Sequence, residues 1–499
     1  MNNKPLSFFE ALGFKRAIEL LLEEIQDLYL SDEIQWVIGY SGGKDSTATL
    51  QLVWMALACL HSEKRVKPVH VISTDTLVEN PVVANWVKLS LSKIGQAAMN
   101  QDLPFTPHRL TPDPTQSFWV NLIGRGYPAP RPWFRWCTER LKIGPAHNFV
   151  SSVVQAQGEA IMVLGTRKAE SARRAQNMKK FEARRVRDLL SPNGGLPNAY
   201  IYTPIQDWSN DDVWAFLLNT PNPWGHDNSN LLELYKGASP DNECPLVMDT
   251  KTPSCGDSRF GCWVCTLVEK DKSMQAMLQN DLDKFWMAPL IEIRDRLALK
   301  DNEGKWDDRG LRDFRRMTGS VQLHNDKVVH GPYKQAVRED LLRDLLEAQE
   351  KIRELGPESV KDLELITIDE LKEIRRVWVV DKNEIEDRLP LIYEEVLSKP
   401  YPGRQFDDNK TFGAPEMQIL RDLCGDDELH YQLCRDLLNI ERRYSSMLRR
   451  AGLFEQIEKA FHKGAYDDET DAILRARNKR DALDKANMKL DCDIQESSN

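Results

Sequence analysis

Seven consecutive residues, Ser41-Gly42-Gly43-Lys44-Asp45-Ser46-Thr47, carry the strongest chemical signal in the chain. Two adjacent glycines let backbone N–H groups turn toward one point, and a following helix adds the positive end of its dipole. Lys44 brings a charge, and the hydroxyls of Ser41, Ser46 and Thr47 can donate to phosphate oxygens. Asp45 could hold a magnesium ion beside them. The loop suits the phosphates of a nucleotide. Its spacing is not that of the Walker loop, which has four residues between its first and second glycine.

The cysteines are the second signal. The chain has nine, an odd number, and no secretion signal, which argues against a disulfide framework. Cys59, Cys424, Cys434 and Cys492 are scattered, as small core hydrophobes are. Cys244, Cys255, Cys262 and Cys265 fall instead within 22 residues, the last two as a CxxC. Such thiolates suit zinc or an iron–sulfur cluster. Spacing alone does not choose between the metals, nor between Cys244 and Cys255 as ligands.

A third feature is charge. Between Arg167 and Arg187 nine Lys/Arg face only Glu170 and Glu182, a local balance of +7 in a chain of net charge −10. A block of this kind marks either a polyanion surface or a solvated helix face.

The elements that must position these residues alternate. An amphipathic helix over 6–30 precedes a buried strand, Trp36 to Tyr40, which runs into the glycine turn and a helix from Ser46 to Leu60. Strands follow at 68–74, 160–165 and 200–203, with a helix over 82–94 that Pro81 can open. This pattern predicts an α/β fold, a Rossmann-like parallel sheet covered on both faces, with ligands beyond the carboxyl ends of its strands. The glycine loop, Asp75-Thr76 and Gly165-Thr166-Arg167 all fall at such ends. Segments 191–199 and 220–230 read as turn-rich loops. Beyond about residue 270 the chain becomes charged and mostly helical; Leu341, Leu345, Ala348, Ile352 and Leu355 keep a 4-3-4-3 spacing, too short for a coiled coil.

At 499 residues, with 41% apolar and 29% charged content, the composition is that of an ordinary soluble protein. No run approaches the ~20 apolar residues of a membrane span, and Glu10, Lys15, Glu19, Glu23 and Glu24 interrupt any signal-peptide pattern. A cytoplasmic location without membrane partners is expected. The expected domains are 1–235 for the nucleotide site, 236–275 for a cysteine-rich iron–sulfur segment, 276–475 for a helical region, and 476–499 for a disordered tail.

SGGKDS after a strand resembles the signature of the N-type ATP pyrophosphatases and of the phosphoadenosine-phosphosulfate (PAPS) reductases, the adenine nucleotide α-hydrolase type of fold. Further matches to the PAPS-reductase-like branch are Asp75-Thr76 with Glu79; Cys137-Thr138 ahead of Leu141-Lys142 and Pro145; Arg167, Glu170, Ser171 and Arg174 after Gly165; and Asp207-Trp208 before Asp212-Val213-Trp214. Trp208 and Trp214 themselves read as core. The resemblance implies that Arg167 and Arg174 recognise phosphate. Cluster-binding reductases use a cysteine pair at the position of Cys137-Thr138 plus a distant CxxC. With Thr138 in place of the second cysteine, Cys255 is the natural replacement, so a [4Fe–4S] set of Cys137, Cys255, Cys262 and Cys265 is implied.

The strings GYSGGKDSTATLQLVW, STDTLVENP, NLIGRGYPAPRPWFRWCTERLK and SCGDSRFGCWVCTLVEKDKSM resemble the DndC family, sulfurtransferases of DNA phosphorothioation. That similarity covers most of 15–280. It implies an ATP pyrophosphatase that adenylates a DNA backbone phosphate so that sulfur replaces a non-bridging oxygen. ATP with Mg2+ and the cluster are the implied cofactors. DNA, a cysteine desulfurase as sulfur donor and DndD- and DndE-like subunits are the implied partners. Lys44, Asp45, Arg167 and Arg174 are the residues expected to act on the reacting groups. Two enzyme readings compete: a PAPS reductase, for which Leu490-Asp491-Cys492-Asp493 does not resemble the required C-terminal cysteine motif, and a tRNA-thiolating enzyme. An inactive scaffold is the alternative from another class.

Overall fold

The computed structural model describes residues 7–10, 12–238, 260–300, 304–305, 307–403, 413–445, 447–464 and 466–496. Two compact units emerge, one from Met1–Asp113 with Pro130–Arg294, the other from Pro114–Ala129 with Asp295–Asn499.

The first unit is built on six strands: β1 (Trp36–Gly39), β2 (Val69–Thr74), β3 (Phe105–Leu110), β4 (Ala160–Val163), β5 (Ser191–Pro192) and β6 (Ala199–Tyr202). They lie in the order β3-β2-β1-β4-β6-β5, all parallel except β5. From β1 the chain first moves outward to β2 and β3, then returns to β1's other side for β4 and β6. The carboxyl end of β1 is therefore the switch point, where open α/β sheets place their ligands.

Alternation along each strand explains why both faces are covered. Trp36 and Ile38 of β1, Val69 and Val71 of β2 and Ile161 and Val163 of β4 enter one core, against α1 (Phe14–Leu30) and α2 (Lys44–Ala58). Val37, Ile72, Ala160 and Ala199 point the other way, onto Val150 and Val153 of α4 (Gly144–Gln157). Leu50, Leu52, Val53, Trp54, Ala56 and Leu57 of α2 are all fully buried, as befits a helix apolar on every side. The helix α3 (Pro81–Asn100) starts with Pro81, and Asn80 caps it by accepting the Val82 N–H at 3.0 Å. Helices α5 (Ala172–Glu182), α6 (Asn210–Asn219) and α7 (Asn228–Gly237) complete the β4–β6 half. Trp208 and Trp214 are wholly buried.

After residue 270 the helices are α8 (Lys272–Asn280), α9 (Ala288–Leu297), α10 (Gln335–Leu355), α11 (Ile368–Arg376), α12 (Arg388–Leu397), α13 (Ala414–Cys424), α14 (Glu428–Ser445), α15 (Leu453–Gly464) and α16 (Glu469–Glu496). The expected spacing on α10 resolves into a buried face of Leu341, Leu345, Ala348 and Ile352, while Leu355 is exposed. A two-stranded hairpin, Leu323–His324 with Lys327–Val328, turns on Asn325 and Asp326, both at positive φ, as a tight hairpin turn requires. One expectation is corrected. Residues 476–496 belong to α16 rather than to a structureless tail; their Ala, Lys, Arg and Leu content sustains a helix despite the weak apolar pattern. No helix among the described residues is long and apolar enough to cross a membrane.

Candidate functional site

Strand β1 ends at Gly39, and the chain turns through Ser41 to Gly43 into α2. Gly42 has φ +73, and a Cβ there would lie 2.5 Å from Val87 Cγ2, so both conformation and space demand glycine. Its carbonyl accepts the Trp86 indole N–H at 3.0 Å. The loop is braced internally: Ser46 Oγ donates to the Gly43 carbonyl at 3.0 Å and accepts the Ser41 N–H at 3.2 Å. Gly43, the residue before the helix, supplies no side-chain cap to the first turn of α2.

Lys44, only 8% exposed, reaches Asp45 Oδ2 at 3.1 Å, and Arg167, 3% exposed, donates from Nε to Asp45 Oδ1 at 2.7 Å. Arg167 also donates to the Trp208 carbonyl at 3.1 Å. Both oxygens of Asp45 are thus engaged by cations. The arrangement anchors Lys44 and Arg167 on one carboxylate. Gly165 permits this approach: a Cβ on it would stand 2.6 Å from the Asp45 carbonyl and 2.9 Å from Thr49 Oγ1. Thr47 is buried behind the loop. Arg174 is placed differently. It pairs with Glu170, whose other oxygen accepts the Arg167 N–H at 2.9 Å, and so stands outside the Lys44–Asp45–Arg167 group.

The neighbouring strand carries the rest. Asp75, just past β2, is held by Arg109 of β3 through Nε at 2.9 Å and Nη2 at 2.6 Å. Thr76, fully buried, donates to Glu79 Oε1 at 2.9 Å and lies 3.4 Å from Cys262 Sγ. The backbone confirms the seating: Glu79 and Cys262 form an antiparallel bridge, and the Trp263 N–H donates to the Val78 carbonyl at 3.0 Å. The CxxC segment is therefore stitched onto the carboxyl end of β2. Because β1 and β2 pair with Gly39 opposite Ile72, the glycine loop and the CxxC share one sheet edge.

Tyr235 joins the two groups. Its hydroxyl accepts the Lys44 N–H at 3.4 Å, and its ring packs edge-on to Phe260 at 4.8 Å, two residues before Cys262. Burial drives the Tyr235 phenol well above its ordinary pKa, so it stays neutral.

Cys137 precedes a π-helical turn, Thr138–Ile143, that leads into α4. Burial raises the thiol pKa of Cys137, with Cys265 adding to the rise, and raises that of Cys262 to about 12, with Glu79 adding to it. Lys142 stands among them, 3.7 Å from Glu79. Burial alone would lower its pKa, but Cys262, Glu79, Cys265 and Cys137 together outweigh that and hold the ammonium charged. Three thiols and a lysine are thus electrostatic neighbours. Among the described residues, however, no group of three or more His, Cys, Asp or Glu is set to hold a metal ion. The expected fourth ligand, Cys255, and its competitor Cys244 lie outside the described residues.

Sequence reasoning did not find Arg109, Tyr235 or the support beneath the loop. That support is His226, stacked on Trp86 at 3.7 Å between ring centroids and 2.7 Å from Ser90 Oγ. None of these has a local signature, since each meets its partner only through the fold.

Residues 35–267 match the model of the phosphoadenosine phosphosulfate reductase domain, a span that takes in both the glycine loop and the CxxC. No curated protein matches the chain significantly. Solved structures align with low identity. The PAPS reductase of Candida auris is 13% identical over 42% of this chain and 87% of that one, with a TM-score of 0.25. The FMN adenylyltransferase of Candida glabrata is 12% identical over 60% and 82%, with a TM-score of 0.26. The U34-tRNA thiolase NcsA of Methanococcus maripaludis, solved with its [4Fe-4S] cluster, is 12% identical over 58% and 84%, with a TM-score of 0.26. Residues 35–267 thus constitute a phosphoadenosine phosphosulfate reductase-like domain.

Proposed function

We propose that the protein is an ATP-dependent sulfurtransferase acting on the DNA backbone. One observation carries the reading: a nucleotide-type glycine loop and a seated CxxC occupy the ends of adjacent strands, joined through Tyr235 and Phe260. A phosphoryl oxygen cannot be exchanged for sulfur directly, because oxide does not leave. Adenylation solves this. A non-bridging oxygen of the phosphodiester attacks the α-phosphorus of ATP and pyrophosphate departs. A sulfur nucleophile then attacks the phosphodiester phosphorus, and AMP departs with that oxygen.

In this scheme the Ser41–Thr47 loop holds the triphosphate, with magnesium carried by the nucleotide as substrate. Lys44 and Arg167, released from Asp45 toward phosphate oxygens, stabilise the charge that develops. Arg174 and the basic stretch after it face the DNA. Cys137, Cys262 and Cys265, with Cys255, would hold a [4Fe–4S] cluster, which supplies a site for binding or relaying sulfur. The resemblance to the DndC family supports DNA as substrate, with a cysteine desulfurase and DndD- and DndE-like subunits as partners.

The test is pyrophosphate release from ATP by anaerobically purified protein, with iron and sulfide measured on the same sample. DNA-dependent release, with sulfur appearing in the DNA backbone, is expected. The family match favours a second reading, reduction of PAPS. Sulfite release from PAPS with thioredoxin, and no pyrophosphate from ATP, would replace the first reading by the second.

A further inference from the structure

In the first unit Trp133 is 75% exposed and its neighbour Phe134 41% exposed. They sit on a tight turn that is closed twice. The Phe134 N–H donates to the Arg131 carbonyl at 2.8 Å, and the Arg131 N–H to the Phe134 carbonyl at 3.2 Å. Pro132 fixes the backbone at the first central position, where proline is favoured. Trp133 holds the second, a place that turns usually give to glycine or a small polar residue. The turn itself does not call for an indole. Among the described residues neither ring meets another aromatic ring.

The base of this turn is pinned beside the thiols. Thr266, fully buried and next in sequence to Cys265, donates from Oγ1 to the Pro130 carbonyl at 2.5 Å. On the other side Trp136 is buried and Cys137 follows it, three residues after Phe134 and so at most about 11 Å along the chain. Arg135 is exposed like the rings. Its Nε donates to the Pro132 carbonyl at 3.1 Å, and it has no ion pair among the described residues. The tip thus presents a flat apolar surface with an unpaired cation at its side. A purely apolar partner would leave Arg135 without an acceptor. A nucleotide uses both, its base on the ring and its phosphate on the guanidinium.

We propose that the turn Pro132–Arg135 is a stacking platform for one unpaired base of the DNA, with Arg135 on the phosphate beside it. This rests on the DNA reading given above. A duplex keeps the faces of its bases inside the stack, so the platform selects an opened or single strand. A strand held there brings a phosphate toward Cys137 and Cys265. Proline and two hydrogen bonds fix the turn before the strand arrives, which lowers the ordering cost of binding.

The experiment uses the full chain, purified without oxygen, and fluorescence anisotropy on a labelled single-stranded DNA, its duplex and the RNA of the same sequence. Trp133→Ala should weaken the single-stranded DNA at least about fivefold, the loss of one stacked base, and the duplex less than about twofold. Trp133→Phe should stay within about threefold of the parent, because any aromatic face can stack. The slope of log affinity against log salt should not change in Trp133→Ala, since the ring carries no charge. Arg135→Gln should flatten that slope by about 0.7, the value for one phosphate of a single strand. Trp133→Ala should melt with the parent, because so exposed a ring covers little of the fold. Single-strand affinity unmoved by Trp133→Ala, or an equal loss on the duplex, would overturn the platform and leave sulfur transfer to DNA standing. Tighter binding of the RNA, lost in the same variant, would overturn it in favour of an RNA strand. A parent that binds neither form of DNA would remove the underlying reading as well.

Discussion

Thr76 Oγ1 lies 3.4 Å from Cys262 Sγ although 186 residues separate them, and this pairing fixes where the CxxC sits. Thr76 is the second residue after β2, the strand beside the glycine loop's own. Its hydroxyl is also spent on Glu79, so threonine, glutamate and thiol form one buried group with Lys142 as its cation. Cys262→Ser should therefore leave the fold and nucleotide binding nearly intact, since serine can keep the hydrogen bonds of this small group. Sulfur incorporation and bound iron should be lost. Iron retained in Cys262→Ser at the parent level would remove Cys262 from the ligand set.

Lys44 and Arg167 share Asp45, so the loss of one cation leaves the other still paired. Lys44→Ala should consequently melt within about 1 kcal/mol of the parent, while pyrophosphate release falls by about 100-fold or more. Asp45→Ala should be worse for stability, because it strands two cations that are less than a tenth exposed. Comparing unfolding midpoints of the two variants decides this ordering. A Lys44→Ala protein that turns over ATP normally would contradict the role given to the loop.

Gly42→Ala combines a positive φ with a Cβ 2.5 Å from Val87. Strain and overpacking together should cost about 2–3 kcal/mol, and the displaced loop should fail to bind nucleotide. Relief should come from Val87→Ala, which empties the space but leaves the φ penalty. Partial recovery of stability in the double variant, read from urea midpoints, is the expected result; none would mean the clash is not the cause.

Much of this architecture was legible in the chain. β1, β2, β4 and β6 announce themselves as buried apolar runs, and Gly-Gly after a strand is itself the signal of a phosphate turn. β3 was not legible, because Pro107 interrupts it and Thr106, His108 and Arg109 make it look like a loop. Its place at the sheet edge is what allows a proline there. Missing β3 also hid Arg109, the partner of Asp75. Tyr235 and His226 lie in segments whose local pattern says only helix and turn. Their meaning comes from the closure of the chain onto α2 and α3, which no periodicity encodes. The pairing of Asp45 with both Lys44 and Arg167 was hidden for the same reason, since residues 45 and 167 are brought together by β1 and β4 being neighbours.

His226 gives the fold a pH dependence. Burial, reinforced by Lys93, lowers its pKa from 6.5 to about 4. Between those values the unfolded chain takes up a proton that the native ring resists, so stability falls as pH drops from 6.5 to 4. The loss approaches about 3 kcal/mol at the lower limit. Because the ring is stacked on Trp86, which holds the Gly42 carbonyl, nucleotide binding should weaken over the same window. Urea midpoints measured across this range should show a shallower slope for His226→Gln than for the parent. Equal slopes would assign the acid sensitivity elsewhere.

The basic stretch can be separated into spent and available charge. Arg167, Lys168, Arg174 and Arg187 are tied to Asp45, Asp207, Glu170 and Asp32. Arg173, Lys179, Lys180 and Arg184 are exposed and have no ion pair among the described residues, and α5, which carries three of them, buries no residue. Ala175, Met178 and Phe181 are the partly covered side of this helix, and its exposed basic side is the surface a polyanion would meet. Arg173 and Lys180 stand seven residues apart, two turns on one face, about 10 Å along the axis, and Arg184 lies in the turn after the helix. Changing Arg173, Lys180 and Arg184 to Gln should lower DNA affinity and flatten its dependence on salt, by about 0.9 in log–log slope for each duplex phosphate that is no longer neutralised. ATP binding without DNA should be unchanged, because none of the three touches the glycine loop or its cations. A salt slope identical to the parent's would exclude α5 from the path of the DNA, whatever the sulfur chemistry proves to be.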